Sequence, residues 1–237
     1  MLEICMLNVR KPLSQPYKAA FLEKVSLEKI AKVNRFKNPI DGHRTLCGEI
    51  LIKSMLAKQL KMPISHIEFE KNECGKPYLK GHPIYFNLSH SGDWVVAAMS
   101  DTLVGIDVEL VKAIDLDIAK HFFTKQEYTW LSSIEEDKLR CKMFYMLWSG
   151  KESYTKMLGK GLSIPLNAFE LIYKEEKLSL KVLYEGEEGY FTTYPLENHS
   201  LVVCTKEARQ IHCQEVNHEL LYEVVTEGVF DNFMKRD

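Results

Sequence analysis

An α+β protein of two pseudo-symmetric halves, each a long helix packed on a small, mostly antiparallel sheet, is the fold class this sequence predicts. Three observations carry that prediction. Apolar residues recur at helical spacing over two long stretches, 45–62 and 135–158. Each stretch is followed by short runs of strand-type residues bounded by turn signals, reaching residue 109 in the first case and 205 in the second. The length of 237 residues suits one large domain or two small ones with a real core. The repetition is one of element order, without residue-level similarity. We place the boundary so that residues 1–104 form the N-terminal half and residues 105–237 the C-terminal half.

Leu2 to Val9 is apolar enough for a first strand and is closed by Arg10-Lys11-Pro12. Lys18 to Phe36 reads as one helix, with Phe21, Val25, Ile30 and Val33 on a buried face. Asn38-Pro39-Ile40-Asp41-Gly42 is a turn, and Thr45 to Met62 a strongly amphipathic helix. Ile64 to Glu70 alternates as a strand should, and Cys74-Gly75-Lys76-Pro77-Tyr78 turns, with Gly75 allowing close approach of a ligand to the backbone. The runs 84–91, 94–99 and 103–109 read as an antiparallel meander. Residues 114–123 and 125–131 are helical, and Thr124 with Glu127 has the spacing of a capping box.

Glu135 to Leu158 is the second long helix, stopped by Gly159-Lys160-Gly161. Gly150 inside it costs about 1 kcal/mol relative to alanine, so something approaches the backbone there. Strands follow at 168–173, 178–183, 189–194 and 201–205, and the tail beyond Glu207 is polar and weakly patterned, with room for a short strand or helix near Glu219–Val225.

Composition narrows the class of function. A hydrophobic content of 46% and a charged content of 27% are those of an ordinary soluble globular protein. The formal net charge of -2 argues against a nucleic-acid binder that relies on bulk charge, and no transmembrane-length apolar run points to a membrane. The six cysteines, at 5, 47, 74, 141, 204 and 213, are scattered without a Cys-x-x-Cys, which speaks against structural zinc and for reduced thiols in a cytoplasmic protein without a secretory leader.

Two stretches carry chemistry. In Gly105-Ile106-Asp107-Val108-Glu109 the two acids lie at i and i+2 of a strand and so share a face. Alone, that pair reads as a solvated strand end. In Trp148-Ser149-Gly150-Lys151-Glu152-Ser153-Tyr154-Thr155-Lys156, Trp148, Glu152 and Lys156 recur every fourth residue, which puts an acid and an amine beside an inward-turning tryptophan. Three carboxylates suit a hard ion such as Mg²⁺, and a lysine can hold phosphate oxygens; together they suit metal-assisted phosphoryl transfer. Elsewhere, residues 24–44 carry Lys24, Lys29, Lys32, Arg35, Lys37 and Arg44 against Glu28 and Asp41, an excess that fits a solvated helix face and an anion site equally. Asn87, Ser89, His90 and Ser91 gather hydrogen-bonding groups at a strand end.

These residues together resemble the surfactin-type 4′-phosphopantetheinyl transferases. Gly105-Ile106-Asp107-Val108-Glu109 looks like the family's G-[IV]-D-[IV]-E, and Trp148 to Lys156 like its W-x-x-K-E-[SA]-x-x-K. Gly75-Lys76-Pro77, Asn87-Leu88-Ser89-His90-Ser91, His43-Arg44-Thr45-Leu46 and Arg10-Lys11-Pro12-Leu13-Ser14 are similar to motifs that precede the acidic strand. The resemblance runs to about residue 170 and implies a cytoplasmic monomer of two α+β halves. It implies transfer of phosphopantetheine from coenzyme A to a serine of an apo acyl or peptidyl carrier protein, with release of 3′,5′-ADP, in secondary metabolite or lipid biosynthesis. The N-terminal half would bind coenzyme A and the C-terminal half would carry the metal and catalytic motifs.

Residue by residue, the resemblance puts Asp107, Glu109 and Glu152 in the Mg²⁺-binding places, with Glu152, Lys156 and Lys151 as catalytic residues. Lys29, Lys32, Arg44, Thr45, Lys76, Ser89 and His90 fall in the coenzyme-binding motifs. The proton of the incoming hydroxyl goes either to Glu152 or to a metal-bound water. The rival readings are a Mg-dependent phosphohydrolase or nuclease and a non-catalytic carrier-protein-binding module.

Overall fold

Each long helical pattern forms one uninterrupted helix with a sheet of its own against it. The structure, a computed structural model, describes residues 1–235, the side chain of residue 162 excepted. It divides into two compact units: the first comprises Met1–Glu70, Pro77–Asp101 and the chain from Gln210, the second Lys71–Lys76 and Thr102–Arg209.

The first unit begins with β1 (Leu2–Asn8), α1 (Gln15–Leu22), α2 (Leu27–Arg35) and the 22-residue α3 (Pro39–Leu60). The expected single helix over 18–36 is therefore two. The first ends at Leu22 in a turn over 23–25, and Ser26, with an extended backbone (φ -68°, ψ 156°), caps the next by accepting from Lys29 N through its hydroxyl. The expected turn at 38–42 is instead the first turn of α3, with Asn38 as cap and Pro39 just inside. The strand expected over 64–70 shrinks to a 3₁₀ turn at Ile64–His66 and a two-residue β2 (Glu70–Lys71), which pairs with β3 (Pro77–Tyr78) in a two-stranded sheet. Ile64 and Ile67 are buried three residues apart, as a 3₁₀ turn places them, so the alternation had another cause.

β4 (Tyr85–Ser91) and β5 (Trp94–Ser100) form the expected hairpin, but the third strand of the meander, β6 (Val104–Leu110), belongs to the second unit. The tail supplies β11 (Ile211–Val216), which pairs in parallel with β1, and α7 (His218–Glu227), which buries Leu221, Val224 and Val225. The sheet order β11-β1-β5-β4 is completed by the tail, so the observed units differ from the expected halves 1–104 and 105–237 at 71–76, at 102–104 and beyond 209. The short element expected near Glu219–Val225 is α7, whereas parallel pairing between chain ends leaves no local sequence signal, which is why β11 was not read. Leu46, Ile50 and Leu51 of α3 form this core with Leu7, Val95 and Ala97 of the sheet.

The second unit contains α4 (Asp117–Phe122), α5 (Lys125–Ser132) and the 22-residue α6 (Asp137–Leu158). They are followed by the hairpin β7 (Glu170–Lys174) and β8 (Lys177–Val182), then β9 (Tyr190–Leu196) and β10 (His199–Thr205). Its main sheet is antiparallel in the order β6-β10-β9. The Thr124–Glu127 capping box is present, and α6 stops at Gly159 with φ 71°. Gly150 meets what was expected of it: a Cβ there would lie 2.5 Å from Leu178 Cδ2 and 2.9 Å from Leu171 Cδ1. Among the described residues no helix is long and apolar enough to cross a membrane.

Candidate active site

The site in the second unit is built on one close contact. A Cβ on Gly105 would lie 1.9 Å from Ser153 O and 2.4 Å from Met157 N, so β6 rests directly on the backbone of α6. The strand's alternation keeps Asp107 and Glu109 on the face of Gly105, which meets α6, and the helical repeat brings Lys156 and Glu152 to Asp107. Lys156 Nζ donates to Asp107 Oδ1 at 2.6 Å and to Ile106 O at 3.3 Å. Asp107 is only 3% exposed.

Burial, reinforced by the Asp107 charge and opposed by Lys156, pushes the Glu152 carboxyl up. Burial also raises Tyr145, and the neighbouring Glu109 carboxylate adds to it. The Lys156 ammonium thus stands with two carboxylates, Asp107 and Glu152, in a poorly solvated corner. Asp107, Glu109 and Glu152 are hard oxygen donors of the kind a divalent cation such as Mg²⁺ takes. Trp148 turns inward, stacked on Phe144 with ring centroids 5.8 Å apart.

Two lysines expected to face ligand are placed otherwise. Lys151 is fully buried: its ammonium binds Glu127 Oε1 at 2.8 Å, Leu166 O at 2.7 Å and Phe169 O at 2.8 Å, and lies over the Phe169 ring. Glu127 in turn accepts from Thr124 N and Leu171 N, so the pair is fully satisfied and presents nothing to a substrate. The expectation that Lys151 is catalytic therefore gives way to one of positioning, because a neighbour of Glu152 sits about 100° round the helix, toward the core.

Lys76 Nζ donates to Lys156 O at 2.6 Å and to Val104 O and Met157 O at 3.4 Å, capping the carbonyl end of α6. Burial pulls its pKa down to about 8. The 72–76 turn that delivers it is held by Asn72, which accepts from Cys74 N and Lys76 N and donates to Gly159 O. Gly75 serves this turn through its φ of 81°, and a Cβ there would meet no protein atom within 4 Å.

The other expected binding residues belong to the first unit. Arg44 donates from Nε at 2.9 Å and from Nη2 to Gly92 O, and from Nη1 to Asp41 Oδ1 at 2.8 Å. It thereby joins α3 to the β4–β5 turn, two residues beyond His90. Thr45 follows it on α3 and is half-buried. Ser89 is half-buried and His90 exposed, opposite Val96 and Val95 of β5, and as strand neighbours they point to opposite faces. Lys29 is held at 2.7 Å by the buried Glu49, whereas Lys32 is exposed in the last turn of α2. Sequence reasoning missed Tyr145 beside Glu109; its spacing of seven from Glu152, two helical turns, was the available signal.

Comparison with known proteins bears on this arrangement. A family model described as the 4′-phosphopantetheinyl transferase superfamily matches residues 103–208, and one described as 4′-phosphopantetheinyl transferase, N-terminal, matches residues 11–102. The 4′-phosphopantetheinyl transferase Sfp of Bacillus subtilis (strain 168) is 39% identical over 197 residues, 82% of this chain and 88% of the relative. The 4′-phosphopantetheinyl transferase gsp of Aneurinibacillus migulanus is 40% identical over 200 residues, covering 80% and 84%. The L-aminoadipate-semialdehyde dehydrogenase-phosphopantetheinyl transferase of Mus musculus is 27% identical over 223 residues, covering 84% and 72%.

Proposed function

This chain belongs to the 4′-phosphopantetheinyl transferase superfamily, and from that membership we infer that it moves phosphopantetheine from coenzyme A to a serine of an acyl or peptidyl carrier protein, releasing 3′,5′-ADP. No observation favours a phosphohydrolase, a nuclease or a non-catalytic binding module. A bond forms from the serine oxygen to the phosphorus that carries pantetheine as the bond from that phosphorus to the ADP oxygen breaks. ADP leaves with the electron pair, and the hydroxyl proton must be taken up.

The side chains of the second unit divide this work. Burial raises the proton affinity of Glu152, which fits it to receive the hydroxyl proton. Lys156, oriented by Asp107, supplies positive charge to the phosphate oxygens of the departing ADP. Asp107, Glu109 and Glu152 are hard oxygen donors that suit Mg²⁺, and these three would hold it. When bound, such an ion supplies a positive centre against the pyrophosphate oxygens. Lys151 and Lys76 act at one remove, locking α6 to the core and closing its carbonyl end.

In the first unit we assign Lys29, Lys32, Arg44, Thr45, Ser89 and His90 to coenzyme A. Its 3′-phosphate takes no part in the chemistry and suits a planar guanidinium fork, and Arg44 keeps donors beyond those it gives Asp41 and Gly92. The same proposal has the enzyme act as a cytoplasmic monomer.

The Lys156–Asp107 contact beside Glu152 is the observation that supports this reading best. Incubation with coenzyme A, Mg²⁺ and an apo carrier protein should add one phosphopantetheine to the carrier's mass, and a chelator should prevent it. Glu152→Gln keeps the shape without the charge and should cost at least about a hundredfold in turnover. A carrier of unchanged mass would sink the assignment. Near-normal turnover of Asp107→Ala with Mg²⁺ as the sole divalent ion would sink the metal role alone.

A further inference from the structure

Outside the proposed reaction, the first unit brings together two imidazoles and a thiol. His43 and Cys47 stand one turn apart on α3, and His218 is the first residue of α7, whose start Asn217 caps. One ligand atom from each lies within 4.8 Å of the others. Cys47 Sγ is 4.0 Å from His218 Nε2, and the two histidine rings have centroids 5.4 Å apart, tilted by 46°.

An N–H of His218 donating to sulfur would account for that pair alone. It leaves His43 unexplained, because His43 Nε2 is buried without a hydrogen-bond partner, an arrangement that costs stability unless something occupies its lone pair or proton. A cation ligated by all three accounts for every group. Zinc bonds of about 2.3 Å to sulfur and about 2.0–2.1 Å to nitrogen, at tetrahedral angles, put sulfur and nitrogen about 3.6 Å apart. The observed 4.0 Å closes to that by small side-chain rotations. Two nitrogens and one sulfur suit zinc, a borderline-soft ion, whereas the carboxylates of the second unit suit Mg²⁺.

We propose that His43, Cys47 and His218 form a binding site for one zinc ion, with water as fourth ligand, which ties α7 to α3. Binding releases one proton, from the Cys47 thiol. Both histidines are half-buried rather than sealed, which leaves the ion a path from solvent. Cys-x-x-Cys spacing cannot reveal such a site, since its third ligand comes from a tail 171 residues on from Cys47.

The test uses the full chain, stripped with a chelator and then kept in excess Mg²⁺ so that the carboxylates are occupied. Titration with Co²⁺ should give a thiolate-to-cobalt charge-transfer band saturating at one equivalent, and Zn²⁺ should abolish the band and raise Tm. Cys47→Ser and His218→Gln should each remove the band and weaken zinc more than about tenfold, since even outer-shell changes at metal sites cost that much. Cys74→Ser, at an exposed thiol, should change neither. If Cys47→Ser fails to fold, His218→Gln at the half-buried position decides. No band in the wild type, a band retained in His218→Gln, or one lost in Cys74→Ser would overturn the site.

Discussion

Gly105→Ala tests the contact on which the active site is built. The added Cβ would start 1.9 Å from Ser153 O and 2.4 Å from Met157 N, both backbone atoms that no rotamer change can move aside. Ordinary contact begins near about 3.5 Å, so β6 and α6 must part by more than about 1 Å. Such overpacking costs about 1–3 kcal/mol, or about 2–12 °C in Tm for a chain of this size. The functional loss should be larger. The 2.6 Å Lys156–Asp107 contact spans the same two elements, and displacements of about 1 Å near reacting groups cost about a hundredfold. The assay is carrier mass gain against time, with calorimetry alongside. Gly48→Ala is the control: its Cβ would meet Val95 Cγ1 at an ordinary 3.5 Å inside α3, so it should gain about 0.4–1 kcal/mol and keep its turnover. If Gly105→Ala matched the wild type in Tm and turnover, the direct seating of β6 on α6 would be wrong.

Lys151→Met strands the buried Glu127 carboxylate and should cost about 3–5 kcal/mol, with the double variant Lys151→Met/Glu127→Gln recovering much of it; a mild effect in urea unfolding would return Lys151 to the reaction. Lys76, buried at about 8, binds fewer protons when folded than an unfolded lysine near about 10.4, so stability should climb as pH rises between these values. The gain is at most about 3 kcal/mol, and subtracting the curve of Lys76→Met isolates it; parallel curves for the two proteins would refute the shift. Arg44→Ala should raise KM for coenzyme A about tenfold to a hundredfold with little change in kcat, and should discriminate poorly against dephospho-coenzyme A. Full wild-type discrimination in that variant would put the 3′-phosphate elsewhere.

Which residues share a face was legible in the sequence. The strand's period of two set Asp107 beside Glu109, the helix's period of 3.6 aligned Trp148, Glu152 and Lys156, and the Thr124 cap and Gly159 stop marked helix ends through local hydrogen bonding. The two long helices and their following strands were legible for the same reason. Where each face points was decided only by tertiary packing. Lys151 and Glu152 are neighbours in a lysine-bearing motif, yet one lies in the core against Glu127 and the other beside Asp107. Lys76 caps α6 because a turn docks on that helix end, and β6 pairs with β10 rather than β5 because strand partners are chosen over the whole chain. The tail's place beside β1, and with it the meeting of His218 with His43 and Cys47, has the same origin. Periodicity constrains a residue through its near neighbours, whereas burial and partnership are set by contacts between segments that are remote in the chain.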